Sequence, residues 1–477
     1  MAVLTRLHFV KGRARIRTVL LIAAACAMLS PLALTRADDA QPAPLSALTR
    51  TKPDVVIILT DDQRTDTLLS MPAVRQLLVD RGTRFTNAHV PNSLCCPSRS
   101  TLLTGLYSHD TGVWGNGGPN GGWPAFVRYG NEKRTIAVAL QRVGYRTDLI
   151  GKYLNAYGHF APANYHTIGW SKFEAFRVPN HSGAYYGYRL GNSPQYHGLG
   201  TNNYSTDVLA QRAVNFIWST PRDKSLFLYF APYAPHLPAT PAPRYVGALK
   251  GKVPTYRPVS ADAPLTGKPA WMLGKPPVQQ KTIENLRERQ GESLMAVDDA
   301  VTAIVAALQH SGRMRDTMII YMSDNGYLNG EHHLIGKNVP YQLATSVPLV
   351  IRWDHRVQAG AVSDRLTGNI DIAATIADAA GTQMTTSGLS LLRPKQRTGL
   401  LLEAEGNRIG RPAYCGWRST NWLYAHYSSG EEELYSVPDD PNELRNLASD
   451  PAHSAVLASL RAQTKSACSP MPPNFHW

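Results

Sequence analysis

The chain has 477 residues, of which 43% are hydrophobic and 18% charged; this excludes a disordered or fibrous polypeptide and suffices for one large α/β domain plus a smaller one. The formal net charge is +14, but residues 1–37 carry Arg6, Lys11, Arg13, Arg15, Arg17 and Arg36 and no acid, which leaves about +8 for the remainder. That mild excess suits an anionic substrate through long-range steering, whereas no basic run interleaved with aromatics points to nucleic acid.

The first segment reads as an export signal. Residues 19–34 are apolar, and Thr35-Arg36-Ala37 offers a cleavage point after Ala37. A retained anchor is the alternative, disfavoured by the short run and by Pro31. Cys26 follows Ala23-Ala24-Ala25, without the large aliphatic residue of a lipoprotein signal. A secreted or periplasmic/cell-envelope protein is expected, with no stable membrane insertion of the mature chain. Residues 38–52 are rich in Ala, Pro and Asp and read as a linker.

Residues 55–59 are wholly apolar and largely β-branched, as in a strand buried on both faces. Helices are predicted over 71–81 and 135–143, the second ending before Gly144, with a strand over 147–150. The Gly-rich stretch 112–130, with Trp114 and Trp123, reads as a loop. A helix over 207–219 precedes a strand over 226–230. Proline is dense and periodicity fades between 231 and 277, the mark of a long irregular and functional loop. A long amphipathic helix follows over 283–309, then strands over 318–322 and 347–351. This alternation implies a doubly wound α/β sheet, with the catalytic domain placed at 53–384. Beyond about 385 the segments shorten and turns multiply, so a smaller C-terminal subdomain is placed at 385–477. Cys415 and Cys468 lie within it, as a pair in an oxidising compartment or as two buried thiols.

Two of these strands end alike. One runs into Thr60-Asp61-Asp62-Gln63, the other into Ser323-Asp324-Asn325-Gly326. Ligands of open α/β sheets bind beyond the carboxyl ends of the strands. If both strands are central and parallel, Asp61, Asp62, Asp324 and Asn325 converge as an oxygen-only set, suited to Ca²⁺ or Mg²⁺ rather than Zn²⁺. The bland alternative is that each pair caps a turn. A third segment, Cys95-Cys96-Pro97-Ser98-Arg99, continues as Ser-Thr-Leu-Leu-Thr-Gly. Proline near a helix start places Cys95 at a helix N-terminus, which favours anions, and Arg99 adds fixed positive charge. A buried cysteine pair or a thiol nucleophile fits those residues as well.

The stretch C-C-P-S-R-S-T-L-L-T-G resembles the signature of the sulfatase family: Cys or Ser, any residue, Pro, Ser or Ala, Arg, then Thr-Gly after a short gap. D-V-V-I-I-L-T-D-D-Q and S-D-N-G are similar to its two metal motifs. I-G-K-Y-L-N looks like its second signature, with Lys152 as the active-site lysine. P-H-L-P resembles the loop bearing a catalytic histidine, here His236, and G-E-H-H-L-I-G-K leads to Lys337, a sulfate-binding lysine. E-L-Y-S-V-P-D-D-P-N-E-L-R-N-L-A is similar to the C-terminal strand segment. The resemblance runs from about residue 54 to 448.

It implies an alkaline-phosphatase-like mixed sheet with helices and a short antiparallel C-terminal sheet. It implies Cys95 converted to 3-oxoalanine (formylglycine) by a formylglycine-generating enzyme. It also implies a divalent cation on Asp61, Asp62, Asp324, Asn325 and residue 95, and a sulfated small molecule or glycan as substrate. Lys152 and Lys337, with the cation, would clamp the sulfate, Arg99 and the cation would stabilise the alkoxide of residue 95, and His236 would protonate the leaving oxygen. One departure stands out: many sulfatases carry G-K-W-H, whereas this chain has G-K-Y-L-N, with Leu154 or Asn155 where a base for the release step is expected. That variant is similar to the N-acetylglucosamine-6-sulfatase and heparan-endosulfatase branch, and His332 and His333 are then candidates for the base. The competing expectations are a phosphodiesterase or phosphonate monoester hydrolase of the same superfamily, and a carbohydrate-binding protein without catalysis if Cys95 stays a thiol.

Overall fold

An apolar strand with no polar face must be covered on both sides. The computed structural model, which describes residues 52–177, 184–407 and 410–477, covers this one with helices on each face. The leader and linker expected before residue 52 lie outside the described residues. Nine strands form the main sheet: β1 (Asp54–Thr60), β2 (Thr83–Phe85), β3 (Arg146–Gly151), β4 (Lys172–Arg177), β5 (Arg189–Leu190), β6 (Leu226–Ala231), β7 (Thr317–Ser323), β8 (Leu349–Trp353) and β9 (Ala361–Ser363). Their spatial order is β9-β2-β8-β7-β1-β6-β3-β4-β5. The centre is parallel: β1 pairs with β6 and β7, and β3 with β6 and β4. β8 runs antiparallel to both β7 and β2, so the sheet is mixed.

Alternation along β1 sorts the two cores. Val55, Ile57 and Leu59 enter one cluster, Val56 and Ile58 the other. The first is closed by helices α1 (Cys95–Thr104), α2 (Ile136–Arg142) and α5 (Ile370–Ala380), the second by α3 (Ser205–Ser219) and the long α4 (Gln280–His310). Thr135 caps α2, its hydroxyl accepting the Val138 N–H at 3.3 Å. The helix expected over 71–81 is one α-helical turn, Pro72–Val74, followed by a π turn, Arg75–Val79. Between β6 and α4 there are only three-residue 3₁₀ turns, as the proline density required.

A separate four-stranded antiparallel sheet follows: β10 (Leu400–Ala404), β11 (Tyr414–Arg418), β12 (Trp422–Tyr427) and β13 (Glu432–Ser436), joined in that order. Helix α6 (Ser454–Ala467) packs on it, with Leu457 and Leu460 against Tyr424 and Leu434. Of the two arrangements open in the sequence, the structure has the disulfide: Cys415 is bonded to Cys468, linking β11 to the end of α6. Among the described residues no helix is long and apolar enough to cross a membrane.

One of the buried acids outside the site lacks any side-chain hydrogen-bond partner among the described residues. Asp148 on β3 is fully buried and neither carboxylate oxygen has a hydrogen-bond partner. Burial, reinforced by Glu174, holds its carboxyl well above the usual range against the pull of Lys172, Arg146 and Arg212. A raised folded-state pKa costs nothing while both states are protonated. The cost appears once the unfolded chain loses its proton and grows with pH up to the folded pKa. Asp148→Asn is therefore expected to gain melting temperature relative to the wild type between pH 4 and pH 7; a difference that does not change with pH would contradict the assignment.

Candidate active site

The parallel pairing of β1 and β7 aligns Thr60 with Ser323, so the residues just beyond them meet. Carboxylate oxygens of Asp61, Asp62 and Asp324 lie within 4.8 Å of one another, all buried. The Asp62 N–H donates to Asp324 Oδ1 at 3.1 Å, and Asn325 Nδ2 donates to Asp62 Oδ1 at 2.6 Å. Asp62 holds a left-handed backbone, φ 68°, a conformation that a non-glycine residue keeps only where its surroundings fix it.

Helix α1 starts at Cys95 and delivers it to the same place. Cys95 Sγ lies 3.5 Å from Asp61 Oδ1, and Lys337 Nζ lies 2.7 Å from the sulfur. The Cys96 N–H at the helix start donates to Asn116 Oδ1 at 2.8 Å, from the Gly-rich loop. One turn along α1, fully buried Arg99 donates through Nε to Asp324 Oδ2 at 2.8 Å and through Nη1 to the Lys152 carbonyl at 2.7 Å. Lys152 ion-pairs with Asp61 and Lys337 with Asp62. Asn369, at the start of α5, donates to the Ser98 hydroxyl at 2.8 Å and to the Ser98 carbonyl at 3.0 Å, pinning α1 from behind. The next loop brings His236. Its Nδ1 donates to the Leu237 carbonyl at 2.7 Å, which directs Nε2 toward Asp62 Oδ2 at 3.7 Å. His236, Asp61 and Cys95 also have ligand atoms within 4.8 Å of one another.

The electrostatics follow from burial and pairing. Burial pushes the Asp61 carboxyl up, but Lys152, His236 and Arg99 outweigh it and bring it down to about 2. Burial likewise opposes the charge on Lys152, and the Asp61 carboxylate more than restores it. The Cys95 thiol is pushed up to about 12 by burial, against the pull of Lys152 and Lys337. A thiol so placed stays protonated at neutral pH and is a poor nucleophile.

The structure thus brings together nine of the residues singled out in the sequence: Asp61, Asp62, Cys95, Arg99, Lys152, His236, Asp324, Asn325 and Lys337. It does not bring His332 or His333 with them. His332 Nε2 faces Glu443 at 3.4 Å, and His333 Nδ1 donates to the Lys275 carbonyl at 2.6 Å. Leu154 packs in the apolar core beside α1, and the Asn155 carbonyl accepts the Trp123 N–H at 2.8 Å. Asn116 and Asn369 carry no motif signal, because their roles are set by tertiary contact.

A hard cation fits this donor set. The three carboxylates lie close enough together to share one ion at typical Ca–O distances of about 2.3–2.6 Å. Asn325 Oδ1 is buried beside them with no hydrogen-bond donor, an acceptor that a metal would satisfy.

A sulfatase family model matches residues 53–382. The chain belongs to the sulfatase family. Human N-acetylglucosamine-6-sulfatase is 33% identical over 365 residues, covering 72% of this chain and 64% of that protein. The goat N-acetylglucosamine-6-sulfatase is 33% identical over 459 residues, covering 83% of this chain and 80% of the relative. The fold of this sulfatase is similar to that of a protein solved in complex with its substrate D-glucosamine-2-N,6-O-disulfate, with TM-score 0.75, 20% identity and coverage of 87% and 97% of the two chains. It is also similar to a phosphonate monoester hydrolase of Agrobacterium radiobacter, with TM-score 0.67, 22% identity and coverage of 87% and 96%. The expected family and its N-acetylglucosamine-6-sulfatase branch are both supported by these relatives, and the mixed sheet with its antiparallel C-terminal companion is the fold the resemblance implied.

The donor set makes a direct prediction. Calcium or magnesium added to chelator-treated protein should raise its melting temperature, because an ion bound only by the folded state stabilises it. Asp324→Ala should abolish that rise, and an unchanged melting temperature in the wild type with either ion would rule the cation site out.

Proposed function

We propose that this protein hydrolyses sulfate esters of a sulfated amino sugar. Residue 95, oxidised to formylglycine, would be the nucleophile, with one divalent cation, calcium or magnesium, held by Asp61, Asp62, Asp324, Asn325 and residue 95. The observation that carries this reading is the position of Cys95. Its sulfur stands where the hydrate oxygens of formylglycine would stand, at a helix N-terminus among three carboxylates and two lysines. A hydrated aldehyde at residue 95 would supply an oxygen nucleophile toward sulfur and a second hydroxyl for release of sulfate, and the cation would supply positive charge to the sulfate oxygens.

The chain's own residues do the rest. Lys152 and Lys337, paired with Asp61 and Asp62 in this structure, would bind the sulfate oxygens, while those two carboxylates would help to hold the cation. Arg99, anchored on Asp324, keeps the N-terminus of α1 in register with β7. His236 Nε2 gives its proton to the ester oxygen as the S–O bond breaks. Having lost that proton, His236 is the base within reach of residue 95 for the release step, a role that neither Leu154 nor Asn155 can fill. Support for the amino sugar comes from the substrate bound to the structural neighbour and from the N-acetylglucosamine-6-sulfatase relatives. The basic leader supports export to an oxidising compartment, where the Cys415–Cys468 bridge is stable. A formylglycine-generating enzyme is the partner required for maturation.

Turnover decides the matter. The wild type from a host able to form formylglycine should release sulfate from glucosamine 6-sulfate faster than it cleaves a phosphonate monoester. Cys95→Ala should lose turnover with the fold intact, and Cys96→Ala should retain it. Faster cleavage of the phosphonate ester, or retained activity in Cys95→Ala, would overturn the assignment.

A further inference from the structure

Lys337 reaches the site from a backbone that would not hold its shape alone. Over residues 330–338, Gly330, His332, His333, Gly336 and Asn338 all have positive φ, at 107°, 51°, 62°, 128° and 66°. Three of these are not glycine, and such conformations persist only where the surroundings over-determine them. The surroundings come from the far end of the chain. Glu443, in the turn after β13, is buried and itself left-handed, with φ 54°. Its Oε1 accepts the Gln342 N–H at 2.8 Å and its Oε2 faces His332 Nε2 at 3.4 Å. Lys337 lies midway between those two residues, so one carboxylate grips both flanks of the loop whose centre delivers the lysine.

Glu443 is in turn fixed. Buried Lys268, from the proline-rich segment, donates to the Glu443 carbonyl at 2.8 Å and to the Tyr435 hydroxyl at 2.7 Å. The His332 ring packs on Tyr341 at 4.3 Å between centroids, and the Tyr341 hydroxyl donates to Glu433 Oε1 at 3.0 Å. The proline-rich segment, the C-terminal sheet and the lysine loop therefore close on one buried polar knot.

We infer that Glu443 is a positioning residue for Lys337, through which the C-terminal sheet sets the position of an ammonium group beside residue 95. This rests on the sulfatase reading for the role of Lys337, but not for the coupling itself. A clamp that only stabilised the fold would lower the melting temperature and leave the chemistry of the remaining folded protein unchanged. A clamp that aims Lys337 would lower kcat/KM, and the loss would vanish once Lys337 is gone.

The test is a double-mutant cycle on the full chain with 4-nitrophenyl sulfate, with folding followed by circular dichroism. Glu443→Ala should lower kcat/KM by on the order of 10–100-fold, as displaced catalytic groups do. In a Lys337→Ala background the same change should alter it by less than about twofold. Equal losses in both backgrounds would overturn the inference. If Glu443→Ala does not fold, Glu443→Gln carries the cycle: its amide oxygen keeps the Gln342 contact, so a smaller loss that again depends on Lys337 is expected, and additivity is again the contrary result. Should the wild type cleave no sulfate ester, the sulfatase reading falls, and the coupling is decided by the same cycle on the affinity for inorganic sulfate.

Discussion

Asp61, Asp62 and Asp324 share one buried volume, and the mutual repulsion of three carboxylates is the constraint around which the site is organised. Burial pushes the Asp61 carboxyl up, but Lys152, His236 and Arg99 outweigh it. Arg99, Lys152 and Lys337 come from three other segments, each set against a named carboxylate, and offset the repulsion. The sequence alone pointed to a cation on this oxygen-only set; the structure also shows three basic side chains, one against each carboxylate. A divalent ion therefore adds net positive charge to a balanced cluster, and that excess is what an anionic sulfate group would meet. The central parallel strands, the buried start of α1 and the strained backbone at Asp62 are all conditions for this convergence.

Much of that arrangement was legible beforehand, for identifiable reasons. Residues 55–59 and 318–322 are too apolar to be anything but doubly buried strands, and two such strands ending in acid pairs define a point in space once they are parallel neighbours. Pro97 and the following Ser-Thr-Leu-Leu marked the helix whose first residue is Cys95. The π turn after Pro72 was not legible, because a wider turn of helix keeps nearly the same apolar spacing. Nor was the reversed direction of β8, since an apolar run carries no information about polarity.

Sequence proximity misled in one place. His332 and His333 stand close to Lys337 along the chain, but the left-handed turns between them and the lysine send their rings to Glu443 and to the Lys275 carbonyl. Glu443 lies in the quoted segment E-L-Y-S-V-P-D-D-P-N-E-L-R-N-L-A, but its role was not legible, because about a hundred residues separate it from the loop it holds. Asn116 and Asn369 are similar cases, single polar residues whose roles exist only once α1 is packed.

The proposed chemistry depends on the chemical state of residue 95. As a cysteine it is a buried thiol whose pKa is pushed up to about 12 by burial, among Asp61, Lys152 and Lys337. The most direct measurement is the mass of the peptide containing residue 95, from protein isolated in its native host. The prediction is replacement of the side-chain sulfur by an aldehyde oxygen, with Cys96 in the same peptide unchanged. An unmodified cysteine at position 95 in protein that is catalytically active would contradict it.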